Sequence, residues 1–369
     1  MRGYCMTILT SSNFHLMPRR VWLILAFITL LLADIFHAHA DARGARHARP
    51  AKYRTQQPSL RLHDQLMRSA AVDTINILAI RVEFKRDTVR QTTGDGRFLR
   101  AADAKYTIDP PPHHRSYFVA QLTALANYFK LVSRGKAVLQ FDVYPRAEEA
   151  AYALDRTMDY YGPGLKAANS DQRLAELLQD GFQKADAVDH PDFSKFDSFI
   201  LFHAGVGEDF NEDFDPAPND IPSAFLSLTD LRKELGSGNA TYRGISVQNG
   251  SFFIPDGIIL PETQSRELST GGLVEFGLLG TSTIMFGSQL GLPSLFNTQN
   301  GTSGIGYFGL MDQGSNNYQG LLPAQPSAWE KVFLGWEEPT VITQGENFEI
   351  AAALHSNPNK IYKVPITDD

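Results

Sequence analysis

The spacing of apolar positions divides the ordered part of the chain into alternating strands and helices. Residues Thr74 to Phe84 are rich in β-branched side chains, and Ile80, Val82 and Phe84 alternate, which predicts a strand. Residues 86–112 are polar, carry Gly94 and Gly96 and end in Pro110-Pro111-Pro112, which predicts a loop. From His114 to Arg134 the apolar residues Phe118, Leu122, Leu125, Phe129 and Val132 recur at helical spacing, with Gly135 at the expected C-terminal cap. A strand follows over Ala137 to Tyr144, with Leu139, Phe141 and Val143 on one face. Asp171 to Ala185 reads as a helix with Leu174, Leu177, Leu178 and Phe182 on its stripe, and Phe196 to Phe202 as a buried strand. Ile245 to Val247, Ser251 to Ile254 and Ile258 to Leu260 are short strand candidates. Leu273 to Leu290 is mostly apolar and dotted with glycine, and its second half is expected to be a buried helix. This order implies an α/β fold: a mixed twisted sheet with covering helices, then a loop-rich C-terminal subdomain.

The N-terminus has a different pattern. Arg19-Arg20 precede the apolar run Val21 to Leu32, and Ala38-His39-Ala40 is a small-x-small cleavage site. Residues 1–40 are expected to be a signal peptide, with Met17 as an alternative start. The apolar run falls short of the roughly 20 residues that a spanning helix needs. No stable membrane span is expected after cleavage, and the expected location is secreted, periplasmic or cell-surface. Residues 41–72 are rich in Arg, His, Ala and Gln without an apolar period and are expected to be flexible. The body is expected over 73–340, with 341–369 as the start of a truncated C-terminal β region.

Composition adds two constraints. Cys5, the only cysteine, lies in the leader, so the mature chain has no disulfide and no thiolate metal site. The net charge is −7 with no basic stripe, which argues against a nucleic-acid partner.

The candidate chemistry lies at Ile284 to Ser294. This stretch has the frame of a zinc-peptidase helix and its exit turn, H-E-x-x-H-x-x-G-x-x-H. The glycine is present as Gly291, but the two histidines fall on Ile284 and Ser288, the glutamate on Met285 and the last ligand on Ser294. Isoleucine has no lone pair, methionine is no base at neutral pH, and serine hydroxyls are poor zinc ligands. No zinc is therefore expected at this helix. Neither H-E-x-x-H nor its inverse occurs elsewhere in the chain. A second candidate is the acidic run Asp209, Asn211, Asp213 and Asp215, with Asp220 behind it. Alternating oxygen ligands can wrap calcium, although Phe214 stands where an EF-hand loop has glycine. The other reading of this run is an exposed acidic loop. Gly304-Ile305-Gly306 reads as a tight turn, since no lysine follows it.

The flanks carry a resemblance. Pro112 to Phe118, Phe202 to Phe210, Pro218 to Phe225, Ile259 to Gln264, Gln289 to Thr298, Gly304 to Gly314 and Pro323 to Trp336 together resemble the immune inhibitor A family of secreted bacterial zinc peptidases. The resemblance implies a zincin-like fold over roughly residues 74–340, a methionine turn at Met311 and structural calcium. It also implies His-Glu-Phe-Gly-His-Gln-Leu-Gly-Leu-Pro-Asp where this chain keeps Phe286, Gly287, Gln289, Leu290, Gly291, Leu292 and Pro293 but loses both ligands, the base and the last ligand. The expectation is an inactive pseudo-peptidase with a retained cleft for protein or peptide, bordered by an edge strand containing Ile259 and Leu260. The alternatives are an active zinc metalloendopeptidase with unrecognised ligands, and a structural or decoy protein.

Overall fold

The structure is a computed structural model, and it describes residues 49–50, 61–64, 73–165, 167–211, 217–268, 272–298, 301–343, 347 and 361–365. The expected signal peptide lies outside these residues. Those described belong to one compact unit, Arg49–Asp369.

A mixed sheet forms the centre. Its strands are β1 (Asp73–Glu83), β2 (Ala137–Tyr144), β3 (Tyr152–Ala153), β4 (Ser198–Val206), β5 (Ala224–Leu226) and, later in the chain after a small hairpin, β8 (Gly257–Thr263). That hairpin joins β6 (Ile245–Val247) to β7 (Phe252–Ile254). Across the sheet the order is β2-β1-β4-β8-β5, with β3 beside the end of β1. The first four run parallel and β5 is antiparallel to β8. The α/β class and the mixed sheet are as the pattern predicts.

Two apolar layers clamp the sheet, and the two-residue strand period sorts side chains between them. On β1, Ile75, Ile77 and Ala79 enter the cluster that also holds α1 (Arg115–Val132) and α4 (Leu278–Gln289). Leu78, Ile80 and Val82 enter the opposite cluster with α2 (Ser170–Asp189) and α3 (Leu228–Glu234). On β4, Ile200, Phe202 and Ala204 face the first layer, and Phe199 and Leu201 the second.

Helix α1 ends in a Schellman turn. The Gly135 N–H reaches the Lys130 carbonyl at 2.7 Å, and the Arg134 N–H reaches that of Leu131 at 3.2 Å. Both Arg134 and Gly135 take positive φ there. Helix α2 runs four residues beyond the predicted Ala185 and stops at His190, which is left-handed at φ 47°.

Several expectations need correction. Strand β4 starts at Ser198 rather than Phe196 and extends to Val206. Ile258 to Leu260 do not form an edge. Ile258 and Ile259 pair with β4 on one side and with β5 on the other, so the edge is β5. Ile259 and Leu260 lie on opposite faces, buried in different layers, because consecutive strand residues alternate. The 41–72 segment also contributes packed structure: Arg61–Asp64 is helical and Leu62 is fully buried in the first layer. Its side chain fills space that a purely polar reading of the segment overlooks.

Arg81 sits in mid-strand yet is buried. Its guanidinium donates to the carbonyls of Pro145 at 2.7 Å, Ala147 at 2.8 Å and Glu148 at 3.0 Å, so it fastens the turn after β2. Burial pulls its pKa down to about 10, only partly offset by Glu148.

Phe118 keys α1 into the sheet, with ring neighbours Phe98 at 5.1 Å and Phe202 at 5.0 Å. Phe118→Ala is expected to cost about 3–5 kcal/mol, read as a lower urea midpoint at unchanged slope.

Candidate functional site

Helix α4 carries the metal-site frame, and its exit is built as the frame requires. Gly291 takes φ +92°. The Leu292 N–H bonds the Gly287 carbonyl at 3.0 Å, and the Gly291 N–H bonds that of Ser288 at 3.1 Å. This is a Schellman turn, which a side chain at 291 would strain. Met311 is fully buried beneath the helix. A Cβ added at Gly287 would lie 2.7 Å from the Met311 sulfur, so the missing side chain lets helix and turn touch. The Leu295 N–H bonds the Met311 carbonyl at 2.8 Å, tying the exit segment to the same turn.

The chemical positions on this scaffold are closed. Ile284 is 0%, Met285 2% and Ser288 2% exposed. Ile284, Met285 and Met311 belong to one apolar cluster with Phe286 and Leu292, and the Phe286 ring lies 4.9 Å from that of Phe129. The Ser288 hydroxyl turns back to donate to the Ile284 carbonyl at 3.2 Å, a bond that occupies its proton within the helix. Ser294 is half-buried, and its hydroxyl oxygen has no hydrogen-bond partner. One orphaned hydroxyl beside an aliphatic chain and a thioether is not a zinc donor set, which needs imidazole, thiolate or carboxylate groups. These residues do not fit the ion.

Gln289, next on the helix, has a different role. Its amide nitrogen donates to Asp256 Oδ1 at 2.7 Å, and its amide oxygen accepts from the Ser198 hydroxyl at 2.6 Å. Asp256 in turn accepts from Arg61 Nε at 2.9 Å and Nη2 at 3.1 Å. This buried chain of partners links the N-terminal turn, the start of β4 and the end of α4. A charge paired and hydrogen-bonded in this way fixes register.

The candidate calcium residues divide. The side chain of Asn211, and Asp213 and Asp215 altogether, lie outside the described residues. Asp209 is fully buried and accepts from the Ser223 N–H at 2.9 Å, the Ser223 hydroxyl at 2.6 Å and the Gln264 amide. Burial pushes its pKa up, against the hydrogen bonds from Ser223 and Gln264. Asp220 accepts from the Thr93 N–H at 2.6 Å and hydroxyl at 2.7 Å. Both carboxylates therefore act as ties between loops. Among the described residues no group of three or more His, Cys, Asp or Glu side chains is arranged to hold a metal ion. The Gly304-Ile305-Gly306 turn is likewise a nest for the chain's own anion: all three N–H groups point at Asp312 Oδ2, at 2.8, 2.6 and 2.8 Å.

Sequence reasoning missed a polar clamp at the carboxyl ends of the parallel strands. His113 Nδ1 lies 2.8 Å from Glu262 Oε1, and His113 Nε2 lies 2.9 Å from the Asp109 carbonyl. Glu262 also accepts from the N–H groups of Leu99 at 2.5 Å and Gly205 at 3.0 Å. Tyr117 stacks on the imidazole at 3.9 Å and donates to the Glu262 carbonyl at 2.9 Å. Asp109 accepts from the hydroxyls of Thr263 and Ser265. Both ring nitrogens of His113 face acceptors, which suits an imidazolium. The sequence signals were a glutamate set in the apolar run of β8 and the presence of His113 and Tyr117 in the Pro112–Phe118 block.

Compared with known proteins, the chain matches no family model and no curated sequence. Among the described residues no helix is long and apolar enough to cross a membrane.

Burial opposes the charge on His113, but the hydrogen bond and charge of Glu262 outweigh it, so its pKa is raised above 6.5. A raised folded-state pKa contributes stability that is complete below the unfolded value of about 6.5 and fades as pH climbs through the folded value. Urea midpoints should therefore fall as pH rises above about 6.5, and His113→Gln should flatten that part of the profile.

Proposed function

We propose that this chain is an exported, catalytically inactive relative of secreted zinc peptidases of the immune inhibitor A type, which binds protein or peptide rather than cleaving it. The observation that carries this reading is the burial of Ile284 and Met285 in an apolar cluster, with Ser288 also buried, on a helix that keeps the peptidase turn at Gly291. A hydrolytic zinc site needs three ligands, a base and an open position for water. Here Ile284 and Met285 fill their positions by packing, Ser288 by a hydroxyl bonded back to its own helix, and Ser294 by a neutral hydroxyl that is a poor zinc ligand. The methionine beneath the helix and the glycine at its exit, which such sites share, support a common scaffold.

The binding half of the proposal is supported by the surface of the Met311 loop segment. It exposes Phe308 at 92%, Tyr318 at 77% and Leu322 at 61%. Asn317 ties two parts of this surface together, donating to the Tyr307 carbonyl at 3.1 Å. Large apolar side chains exposed within one segment in this way suit contact with other molecules. Between Ser303 and Ser327 the sole formal charge is Asp312, which is buried, so the surface suits an uncharged, apolar peptide segment.

The test is metal content and activity on one preparation. Purified protein equilibrated with zinc and then desalted should retain well under one ion per chain, and casein cleavage should be absent with or without chelator. Stoichiometric zinc with chelator-sensitive cleavage would overturn the proposal. Placing the expected side chains back, as I284H/M285E/S288H/S294D, should lower the thermal midpoint rather than create a tight site. Polar and charged groups would enter a cluster that has no partners for them.

A further inference from the structure

A second concave surface lies on the other layer, where α2, the loop after α3 and the β6–β7 hairpin meet. The cleft has a volume of about 380 Å³, within the usual range for small-molecule sites of roughly 300–1,000 Å³. Its walls include Gln179 and Gln183 from α2, Tyr242 and Arg243 from the loop, and Ser246 and Phe253 from the hairpin. None of its ten lining residues is acidic and one is a cation, in a chain whose net charge is −7.

Arg243 is the distinctive group. Its guanidinium carbon lies 4.3 Å from the Phe253 ring centroid, a cation–π contact that places the fork over an aromatic face. Among the described residues it makes no ion pair. Gln179 and the Tyr242 hydroxyl likewise have no hydrogen-bond partner among the described residues. The backbone around Arg243 is fixed on both sides. Gly244 takes φ +126°, and a Cβ there would lie 2.1 Å from the Ile254 carbonyl oxygen. Tyr242 sits against Gly236, where a Cβ would meet its ring at 2.8 Å. The backbone that carries Tyr242 and Arg243 is therefore set before any ligand arrives, which lowers the entropic cost of binding.

We propose that this cleft binds a small hydroxylated carboxylate, the chemical class of the uronic acids. Arg243 takes the carboxylate through two parallel N–H bonds, and Gln179, Gln183, Tyr242 and Ser246 meet the hydroxyls. One cation among neutral donors and acceptors matches a singly charged ligand. A phosphate would call for several cations or a row of backbone N–H groups at a helix start. The proposal goes beyond the peptidase-like reading and is independent of it, since it uses none of the residues at the metal-site frame.

Isothermal titration of the full chain with D-glucuronate, D-glucose and sodium acetate tests it. D-glucuronate is expected to bind saturably, and both glucose and acetate at least tenfold more weakly. R243A should weaken glucuronate at least tenfold, and Y242F two- to fivefold, with the thermal midpoint of R243A unchanged because the side chain is exposed. A glucuronate-bearing disaccharide separates the two sources of this chemistry. Tighter binding than the free acid identifies a glycan end, and weaker binding a free metabolite; both support the cleft. Absence of saturable binding by either acid, equal binding of glucose, or an unchanged affinity in R243A would overturn the proposal.

Discussion

Burial of helix α4 on all sides is the constraint on which the molecule depends. The helix lies between α1, the sheet and the loop-rich segment that carries Met311. Together these contacts enclose Ile284, Met285 and Ser288, the positions that a metal-dependent hydrolase would leave open to water and substrate. Gly287 and Gly280 allow this closeness: a Cβ at Gly280 would meet the Ser315 carbonyl oxygen at 2.1 Å. With glycine at these points the segment after α4 can fold back tightly. With Ile284 and Met285 between them, the enclosed space is apolar, and a bare cation gains nothing there to offset its lost hydration.

The polar groups that are buried are organised by the same logic. The Arg61–Asp256–Gln289–Ser198 chain, the His113–Glu262 pair and the Asp209–Ser223–Gln264 group join segments well separated in sequence, while the Asp312 nest closes a local turn. Their work is to hold long loops against the ends of the sheet, where no backbone ladder is available. Asp209 and Asp220, which read as ligands in isolation, tie loops through Ser223, Gln264 and Thr93.

Much of the fold was legible in the sequence because it depends on local periodicity. The helix around Phe118 and Phe129, the strand Ala137–Tyr144 and the turn at Gly291 follow from spacing and from glycine geometry alone. Sites of long-range pairing were not legible. Arg81 looks like the solvent face of a strand until the turn at 145–148 supplies three carbonyls. Ile258 to Leu260 looked like an edge because β5, only three residues long, is too short to announce itself. Arg61 and Leu62 lie in a polar stretch without a period, and only their distant partners order them. Of the candidate site, the loss of ligands could be read from residue types, but the closing of the space by Met311 and the Phe286 cluster could not.

The most direct measurement is anomalous diffraction at the zinc absorption edge from crystals grown with excess zinc. The account predicts no anomalous peak within about 2.5 Å of any side chain at positions 284, 285, 288 or 294, since ligand bonds to zinc are about 2.0–2.3 Å. A strong peak there, with nearby donors completing a tetrahedral shell, would contradict it.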